Sequence, residues 1–362
     1  SRASMGLIKI PGEVFVAFGL DKSCSMVRPF GSGHIHQTFR VDTDNQCFIF
    51  QCINHKVFPD VAALMDNIFK VTRYISKNSS PEDLTVRIIQ TLEGKSFYHD
   101  DQGQYWRVME RVPNSKTYDM ALSPSMAFEA GKVLGDFHYL LKDFPVEQLH
   151  TILPNFHNLD SRWREFLIAK GKASTHRLSQ ANALIQIVDI ACDDELIFSR
   201  KIYSPHTRKR IVHNDPKINN ILFDNHLRGI CMIDLDTMMP GSFLHDFGDA
   251  LRTTANPFYE DEPDSTSVHC DLDLLKAYCQ GYLPCVKKIM NTDEIMGLPH
   301  APAHMTFIIA LRFLTDYLND DIYFKIDHPQ HNLQRAKAQF ALYYDFKERE
   351  PEIEQIISQY VK

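Results

Sequence analysis

The sequence predicts an α+β protein with two lobes, a small β-rich amino-terminal lobe and a larger, mainly α-helical carboxyl-terminal lobe. Short alternating or continuous apolar runs dominate the first hundred residues. Long patterns with helical periodicity dominate the rest, and a group of short β-like runs at 210–234 is set among them. Pro113, Asn114 and Ser115 interrupt both patterns, so we predict lobes of residues 1–112 and 113–362.

Composition narrows the class of protein. The chain has 362 residues, of which 44% are hydrophobic, enough for a core in each lobe. A net charge of -7 without a basic stripe argues against nucleic acid as a partner. Eight scattered cysteines without a CxxC pair predict reduced thiols, and no apolar run has the length of a membrane span or of a secretory signal. We therefore expect a cytoplasmic protein without a membrane partner, either a monomer or a weak homo-oligomer.

The amino-terminal lobe is expected to contain a sheet and one helix. Strands are predicted at 34–41 (HIHQTFRV), 47–53 (CFIFQCI) and 104–112 (QYWRVMERV). Between the second and third strands, apolar residues recur at steps of three and four, which indicates a helix capped by Asp60. The apolar residues of that helix face are Val61, Leu64, Ile68, Val71 and Ile75.

A glycine-containing turn lies near the start of this lobe, in the segment PFGSGHIHQTF. Gly31, Ser32 and Gly33 fall between two β-like runs, where backbone amides can approach phosphate groups. An ordinary hairpin turn has the same composition, so the turn alone is a weak indication. Together with the carboxylates described below, it predicts a lid over a nucleotide.

The carboxyl-terminal lobe is predicted from helical patterns at 125–142 and 304–319, the second of them apolar on nearly all sides. The short runs RIVH, ILF and GICMID are β-like and are separated by polar turns. An acidic segment at 259–273 is interpreted as a solvated loop that leads into a helix.

Those polar turns contain the groups that phosphoryl transfer needs. The reaction requires a carboxylate to orient the attacking hydroxyl, and oxygen ligands for magnesium from another carboxylate and an amide. The segment HNDPKINN matches the HxD of a kinase catalytic loop, followed after four residues by an asparagine. His213, Asp215 and Asn220 fit this spacing, and Asp234 follows nineteen positions after Asp215. Accidental clustering of polar residues in turns is the alternative.

A literal DFG triplet begins at Asp246, but we predict the metal ligand to be Asp234 because it ends a clear strand. Asp236, two residues later, is expected on the same side of that strand. Asp246 and Asp249 are interpreted as structural residues that cap a helix or brace the loop. His213 is expected to support the loop by hydrogen bonding and not to transfer protons.

These motifs resemble the aminoglycoside phosphotransferase and choline kinase superfamily, which has a bilobal protein-kinase-like fold. Three segments, HNDPKINNILFD, MIDLDTMMPGSFLHDFGDALR and RFLTDYLNDDIYF, are similar to the branch of N-acetylhexosamine 1-kinases, which phosphorylate the anomeric hydroxyl of N-acetylglucosamine and N-acetylgalactosamine. The similarity extends from the glycine turn to about residue 340. It implies ATP and Mg²⁺ as cofactors and a small sugar as the second substrate.

The resemblance implies roles for individual residues. Asp215 would align the C1 hydroxyl as catalytic base, Asn220 and Asp234 would hold magnesium, and Asp234 would also reach the sugar. The hexosamine would contact His34, Arg312 and Tyr323. From the residues alone, Arg312 can equally form an ion pair with Asp316, and Tyr323 can be a packing residue.

One departure from the broader kinase pattern concerns the lysine expected on the second predicted strand. Gln51 occupies that position, and the resemblance places it among the nucleotide-binding residues. Lys217, two residues after Asp215, is expected to stabilise charge on the transferred phosphoryl group. Two other functions remain open at this stage. One is a kinase for another small alcohol, such as choline, homoserine, methylthioribose or an aminoglycoside, and the other is a non-catalytic nucleotide-binding pseudokinase.

Overall fold

The structure, a computed structural model, describes residues 9–31, 35–80 and 85–362. The chain forms two compact units. The first contains Ser1–Ser115 and the short segment Glu147–Leu153, and the second contains Lys116–Val146 and Pro154–Lys362. As predicted, the amino-terminal part carries the main sheet and the carboxyl-terminal part is mainly helical.

The first unit is built on an antiparallel sheet with strand order β1-β2-β3-β6-β4, in which β5 also pairs with β6. Two of the predicted strands are confirmed with small shifts at their ends, and the run 47–53 is confirmed without a shift. The short strands β4 and β5 were missed, and β1, the β-like run before the glycine turn, is exposed along its whole length. The strands are β1 (Met26–Pro29), β2 (Gln37–Asp42), β3 (Cys47–Ile53), β4 (Ile88–Ile89), β5 (Tyr98–His99) and β6 (Tyr105–Glu110).

Two helices pack in this unit. Helix α1 (Gly12–Ala17) contributes Val14 and Phe15 to a core shared with β2, β3 and β6. Helix α2 (Val61–Asn78) begins after Asp60, whose carboxylate accepts the backbone N–H of Ala63 at 3.0 Å. All five apolar residues predicted for its inner face are buried, so the period and the cap were both correct.

The second unit contains nine helices among its described residues. The two predicted helices are found as α3 and α9, and α9 is buried along almost all of its length. The helices are α3 (Pro124–Leu140), α4 (Leu159–Lys172), α5 (Thr175–Ile202), α6 (Phe243–Thr254), α7 (Leu272–Val286), α8 (Thr292–Gly297), α9 (Ala301–Leu318), α10 (His331–Glu348) and α11 (Glu350–Val361). None of the helices in the described parts of the chain is long and apolar enough to cross a membrane. All eight cysteines are free thiols, as predicted.

Two antiparallel strand pairs lie among these helices. Strand β7 (Arg210–Val212) pairs with β10 (Met239–Gly241), and β8 (Ile221–Phe223) pairs with β9 (Gly229–Met232). Strands β7, β8 and β9 confirm the three β-like runs of the sequence, and β10 was not predicted. They bring together the loop after β7 and the loop after β9, which contain the predicted catalytic and metal-binding residues.

Helices α3 and α7 approach each other so closely that glycine is required at their contact. A Cβ atom added to Gly281 would lie 2.1 Å from the carbonyl oxygen of Phe128. One added to Gly131 would lie 2.3 Å from the carbonyl oxygen of Tyr278. The backbones of the two helices are therefore in direct contact.

Replacing Gly281 with alanine should destabilise the protein, because the new methyl group would meet backbone atoms that cannot rotate away. We expect a loss of about 1–3 kcal/mol in the free energy of unfolding, measured by urea denaturation. Gly171 on α4 is the matched control, since an added Cβ there has nothing within 4 Å. Gly171→Ala should be neutral or stabilising by up to about 1 kcal/mol. Equal effects of the two substitutions would contradict the close contact.

Candidate active site

The loop after β7 is held by one buried carboxylate, that of Asp246 on α6. Asp246 accepts the backbone N–H of His213 at 2.8 Å and that of Asn214 at 2.7 Å. It also accepts a hydrogen bond from Nε2 of His138 at 2.7 Å. Burial opposes ionisation, but the hydrogen bond from His138 and the neighbouring donors hold the pKa of Asp246 below its usual value. Asp246 is therefore an ionised brace for the loop.

The start of α6 and a histidine on α3 position the carboxylate of Asp246. Ser242 caps α6 by accepting the N–H of Leu244, and Asp246 lies in the first turn, where the helix dipole favours negative charge. His138 on α3 donates from Nε2 to Asp246, so its Nδ1 accepts the hydroxyl of Tyr282 at 2.8 Å. The literal DFG triplet thus begins with a structural aspartate, as predicted.

Asp249, also predicted to be structural, lies one turn further along α6. It accepts a hydrogen bond from Nε of Arg252 at 2.8 Å and is buried. Burial raises the pKa of Asp249 above its usual value. Its partner Arg252 also binds Glu260 at 2.5 Å, so Asp249 belongs to an internal network.

His213 joins the loop after β7 to the loop after β9. Its Nε2–H donates to the carbonyl oxygen of Ile233 at 2.8 Å, and its Nδ1 accepts the backbone N–H of Asp215 at 3.1 Å. Thr237, in the turn after Asp234, also connects the two loops, because its hydroxyl donates to the carbonyl of His213 at 2.7 Å. The hydrogen bonding expected of His213 is confirmed, and these two partners assign Nε2 as the donor and Nδ1 as the acceptor.

Asn214 adopts a left-handed conformation with φ of 68°, which a residue other than glycine occupies only when its surroundings enforce it. Its side-chain amide donates to the carbonyl of Thr237 at 3.0 Å. Its own carbonyl accepts Nε2–H of His157 at 2.9 Å. These bonds, together with Asp246, fix the backbone immediately before Asp215.

Asp215, Asn220 and Asp234 are brought to one place by backbone contacts. The amide nitrogen of Asn220 donates to the carbonyl of Asp215 at 2.9 Å, and the N–H of Ile233 donates to the carbonyl of Asn220 at 2.8 Å. Because the nitrogen of Asn220 is used, its side-chain oxygen is the end that can bind a cation. Asp234 is exposed and left-handed, with φ of 56°. An amide oxygen and a carboxylate fit the ligand preference of Mg²⁺.

The expectation that Asp236 faces the same way as Asp234 is wrong. The chain turns at Asp234, and Leu235–Thr237 form a 3₁₀ turn in place of a continuing strand. Asp236 is buried, with 2% of its surface exposed, whereas Asp234 is exposed. Side chains alternate between the two faces only within a strand, and β9 ends at Met232, before Asp234 and Asp236.

Lys217 lies beside the carboxylate of Asp215, with Nζ 3.5 Å from Oδ1. Both side chains are about one-third exposed or less, at 35% and 27%. The negative charge of Asp215 raises the pKa of Lys217 and outweighs the opposing effect of burial. The loop therefore presents a carboxylate and an ammonium group together.

Arg312 and Tyr323, which are far from the loop in sequence, lie together in the structure. The guanidinium carbon of Arg312 is 5.5 Å from the ring centre of Tyr323, 5.4 Å from that of Phe324 and 5.2 Å from that of Phe156. Tyr323 is 64% exposed, so it is not a core residue. We call Arg312, Phe156, Tyr323 and Phe324 the arginine–aromatic cluster.

The alternative of an ion pair between Arg312 and Asp316 is wrong. Among the described residues, the carboxylate of Asp316 accepts the backbone N–H of Tyr323 at 2.8 Å and that of Phe324 at 3.0 Å. It also accepts the side-chain amide of Asn332 at 2.7 Å. Asp316 therefore holds the segment that contains Tyr323 against the end of α9. The guanidinium of Arg312 packs against the aromatic rings of the cluster.

The arginine–aromatic cluster is connected to the catalytic loop through two adjacent residues. Phe156 belongs to the cluster, and His157 donates to the carbonyl of Asn214, the residue before Asp215. Burial is the main cause that lowers the pKa of His157, to about 3, so its ring is neutral. Sequence reasoning missed both residues, because PNFHNL follows no helical or strand period.

Comparison with known proteins decides the family. Residues 26–286, well over half of the chain, match the family model described as "Phosphotransferase enzyme family". The chain belongs to this family. The matched segment of this phosphotransferase contains the loop after β7, Asp234 and Asp246, and it ends before Arg312.

Solved structures show the same fold at low sequence identity. An aminoglycoside phosphotransferase from Alicyclobacillus acidocaldarius is 14% identical with a TM-score of 0.62, covering 99% of this chain and 98% of its own. An ethanolamine kinase from Plasmodium vivax is 13% identical with a TM-score of 0.58, covering 94% and 92%. A spectinomycin phosphotransferase in complex with ADP and spectinomycin is 14% identical with a TM-score of 0.56, covering 96% and 97%. The kinase-like fold predicted from the sequence is confirmed.

The predicted nucleotide-binding residues of the phosphotransferase lie in the first unit. Gly31 has φ of 80° and lies between β1 and β2, whereas Ser32, Gly33 and His34 lie outside the described residues. Gln51 on β3 donates its amide to the hydroxyl of Thr38 at 3.1 Å and accepts Nε–H of Arg107 at 2.8 Å. The side chain of Gln51 thus joins two neighbouring strands.

Arg107 is a cation that sequence reasoning missed. It lies on β6 directly opposite Gln51, with 4% of its surface exposed. A buried arginine in a strand could have been noticed in YWRVME, but its position beside Gln51 depends on which strands pair. The structure therefore provides a guanidinium next to Gln51, the position where a lysine was expected from the broader kinase pattern.

Asp246→Ala should both destabilise the phosphotransferase and abolish its activity. The substitution leaves the donors of His213, Asn214 and His138 buried without an acceptor, and we expect a loss of about 3–5 kcal/mol in the free energy of unfolding. Urea denaturation measures it, and Asp189→Asn on the exposed face of α5 is the control, with a change within about 0.5 kcal/mol. Because the pKa of Asp246 is lowered on folding, its contribution is present at neutral pH and lost as pH falls through the folded pKa. A stable, active Asp246→Ala variant would exclude the bracing role.

Proposed function

We propose that this phosphotransferase transfers the terminal phosphoryl group of ATP to the C1 hydroxyl of N-acetylglucosamine or N-acetylgalactosamine, giving the sugar 1-phosphate. One observation carries the proposal. The half-buried guanidinium of Arg312 lies among three aromatic rings, and Phe156 and His157 join this cluster to the backbone beside Asp215. Acceptor recognition and catalysis can therefore belong to one site.

The chemistry of the arginine–aromatic cluster suits a neutral, oxygen-rich acceptor. Aromatic rings pack against the C–H face of a sugar ring, and a guanidinium donates to hydroxyl or acetamido oxygens. Burial and the neighbouring Arg162 lower the pKa of Arg312 to about 10, so the group stays charged at neutral pH. Two nearby guanidinium groups disfavour a cationic acceptor such as choline or an aminoglycoside.

The acidic segment is the observation that could favour a cationic acceptor, but its charges have internal partners. Glu260 binds Arg252 at 2.5 Å, and Asp261 binds His331 at 2.7 Å. Asp264 accepts hydrogen bonds within its own turn. These three carboxylates have partners inside the second unit, so the segment is held more firmly than the solvated loop that the sequence predicted.

Catalysis follows from the positions of the loop residues. Asp215 would accept the proton of the C1 hydroxyl as that oxygen attacks the phosphoryl group, and Lys217 would donate to the oxygens that gain charge. The side-chain oxygen of Asn220 and the carboxylate of Asp234 would hold Mg²⁺, which neutralises charge on the phosphates. Retention of all of these groups favours an enzyme over a non-catalytic pseudokinase.

The nucleotide would be bound by the first unit. The proposal assigns its phosphates to the backbone of Gly31, Ser32 and Gly33, and its charge to Arg107, which Gln51 orients. His34 is assigned to the sugar together with Arg312 and Tyr323. The substrates named for the structural relatives, spectinomycin and ethanolamine, are the alternatives, because each carries a hydroxyl group that a kinase can phosphorylate.

The proposal predicts ADP release with N-acetylglucosamine or N-acetylgalactosamine and not with choline, ethanolamine or aminoglycosides. Phosphorus NMR of the product should show a phosphate on the anomeric carbon.

Asp215→Asn should lower kcat by about 10²–10⁴-fold because the proton acceptor is lost, while Asp189→Asn keeps the wild-type rate. Phosphorylation of choline alone would reject the sugar assignment, and an unchanged rate in Asp215→Asn would reject the base.

Arg312→Met tests the acceptor site separately from the chemistry. The substitution keeps an unbranched apolar side chain and removes the guanidinium with its charge and donors, so KM for the amino sugar should rise about 10–100-fold while KM for ATP is unchanged. Arg73→Met is the matched control, because Arg73 also stacks on a phenylalanine ring but lies on α2. A variant whose acceptor KM stays at the wild-type value would show that Arg312 does not bind the substrate.

A further inference from the structure

In the second unit, the side chains of two histidines, His300 and His304, lie within hydrogen-bond distance of the buried carboxylate of Glu195. His300 directly precedes α9, His304 lies on α9, and Glu195 lies on α5. One ligand atom from each of the three side chains lies within 4.8 Å of the others. We propose that Glu195, His300 and His304 form a binding site for a divalent transition-metal ion, with Zn²⁺ as the expected occupant. This site shares no residue with the catalytic loop and does not depend on the proposed function.

The three side chains already converge on one point. Nε2 of His300 lies 2.7 and 2.9 Å from the two carboxylate oxygens of Glu195, and Nδ1 of His304 lies 2.9 Å from one of them. Ligands at about 2.0–2.1 Å from a tetrahedral zinc ion are about 3.3 Å apart. Each imidazole nitrogen would therefore have to move about half an ångström away from the carboxylate to reach the spacing of zinc ligands.

Outer partners hold two of these ligands in the way that metal sites require. Glu350 on α11 binds Nδ1 of His300, so the other ring nitrogen is directed to Glu195. Tyr343 on α10 donates its hydroxyl to the second oxygen of Glu195 at 3.1 Å. A carboxylate behind a ligating histidine and a hydrogen bond to a ligating carboxylate are the usual second layer of zinc sites.

The hydrogen bonds of the metal-free cluster leave one polar atom unused. Both ring nitrogens of His300 face carboxylates, so the ring must carry two protons. His304 is fully buried, and its Nε2 has no hydrogen-bond partner in the part of the chain that the structure describes. A metal ion would replace the proton on Nε2 of His300, which would be released, and the proton on Nδ1 of His304 would move to the unused Nε2 of the same ring.

The ligand set and its surroundings select the kind of ion. Imidazole nitrogens with one carboxylate suit Zn²⁺, whereas Mg²⁺ prefers oxygen ligands only. The ring of Phe198 lies 4.7 Å from the rings of both histidines and forms an apolar wall. Glu195 is fully buried, while the side chain of His300 is 19% exposed, which leaves an approach for an ion and for a water molecule as fourth ligand.

Elemental analysis of the whole protein, dialysed against Zn²⁺ and then against metal-free buffer, should find about one equivalent of zinc. Co²⁺ in place of Zn²⁺ should give visible absorption bands of a tetrahedral site. Zn²⁺ should raise the midpoint temperature of thermal unfolding of the chelator-treated protein.

Glu195→Gln and His304→Ala should remove all three effects. His176, an exposed histidine on α5, is the control, and His176→Ala should retain them.

Glu350→Gln keeps the proposal testable if the buried variants fail to fold. It changes only the outer partner of His300, and it should weaken Zn²⁺ binding by about 10–100-fold, measured by competition with a chromophoric chelator. Asp234→Asn should bind Zn²⁺ as the wild type does, which separates this site from the catalytic one. Folded wild-type protein that retains no zinc and shows no Zn²⁺-dependent midpoint would overturn the proposal, as would undiminished binding in Glu350→Gln, Glu195→Gln or His304→Ala.

Discussion

The loop after β7, which contains the proposed catalytic residues, depends on the buried carboxylate of Asp246. This group accepts the backbone N–H of two successive residues, His213 and Asn214, and a third hydrogen bond from His138. Hydrogen bonds to an ionised acceptor are among the stronger ones in a protein interior, so the loop is fixed before any substrate binds. Asn214 can remain in a left-handed conformation because these bonds offset its strain. The orientation of Asp215 is a consequence of this arrangement.

The same principle applies to the arginine–aromatic cluster. Asp316 is buried and accepts two successive backbone N–H groups, those of Tyr323 and Phe324, in the way that Asp246 does in the catalytic loop. His157 then connects the cluster to the loop by donating to Asn214. Two buried carboxylates and one histidine thus position the groups that are proposed to act on the substrates, although none of the three is assigned to touch them.

The sequence was sufficient where the geometry of the candidate site depends on local spacing. The loop from His213 to Asn220 and the position of Asp234 after β9 could be predicted, because strands and turns are short-range features. The fold class followed from the change between strand and helix periods near residue 113. Asp236 was misplaced because a strand period was extended beyond the end of the strand.

Long-range pairings could not be predicted. Arg107 reaches Gln51 only because β6 pairs with β3, and Asp316 could not be assigned to the backbone of Tyr323 from helical spacing, which indicated Arg312. His157 lies in an irregular segment whose contact with Asn214 is 57 residues away in sequence. Such contacts are decided by packing of whole elements, which a single sequence does not specify.

The most direct measurement is a crystal structure of the protein with Mg²⁺, a non-hydrolysable ATP analogue and N-acetylglucosamine. The account predicts that the C1 hydroxyl oxygen lies about 2.6–3.2 Å from the carboxylate of Asp215, with the guanidinium of Arg312 bound to an oxygen of the same sugar. A complex in which the sugar binds away from Arg312, or directs another hydroxyl at Asp215, would contradict it.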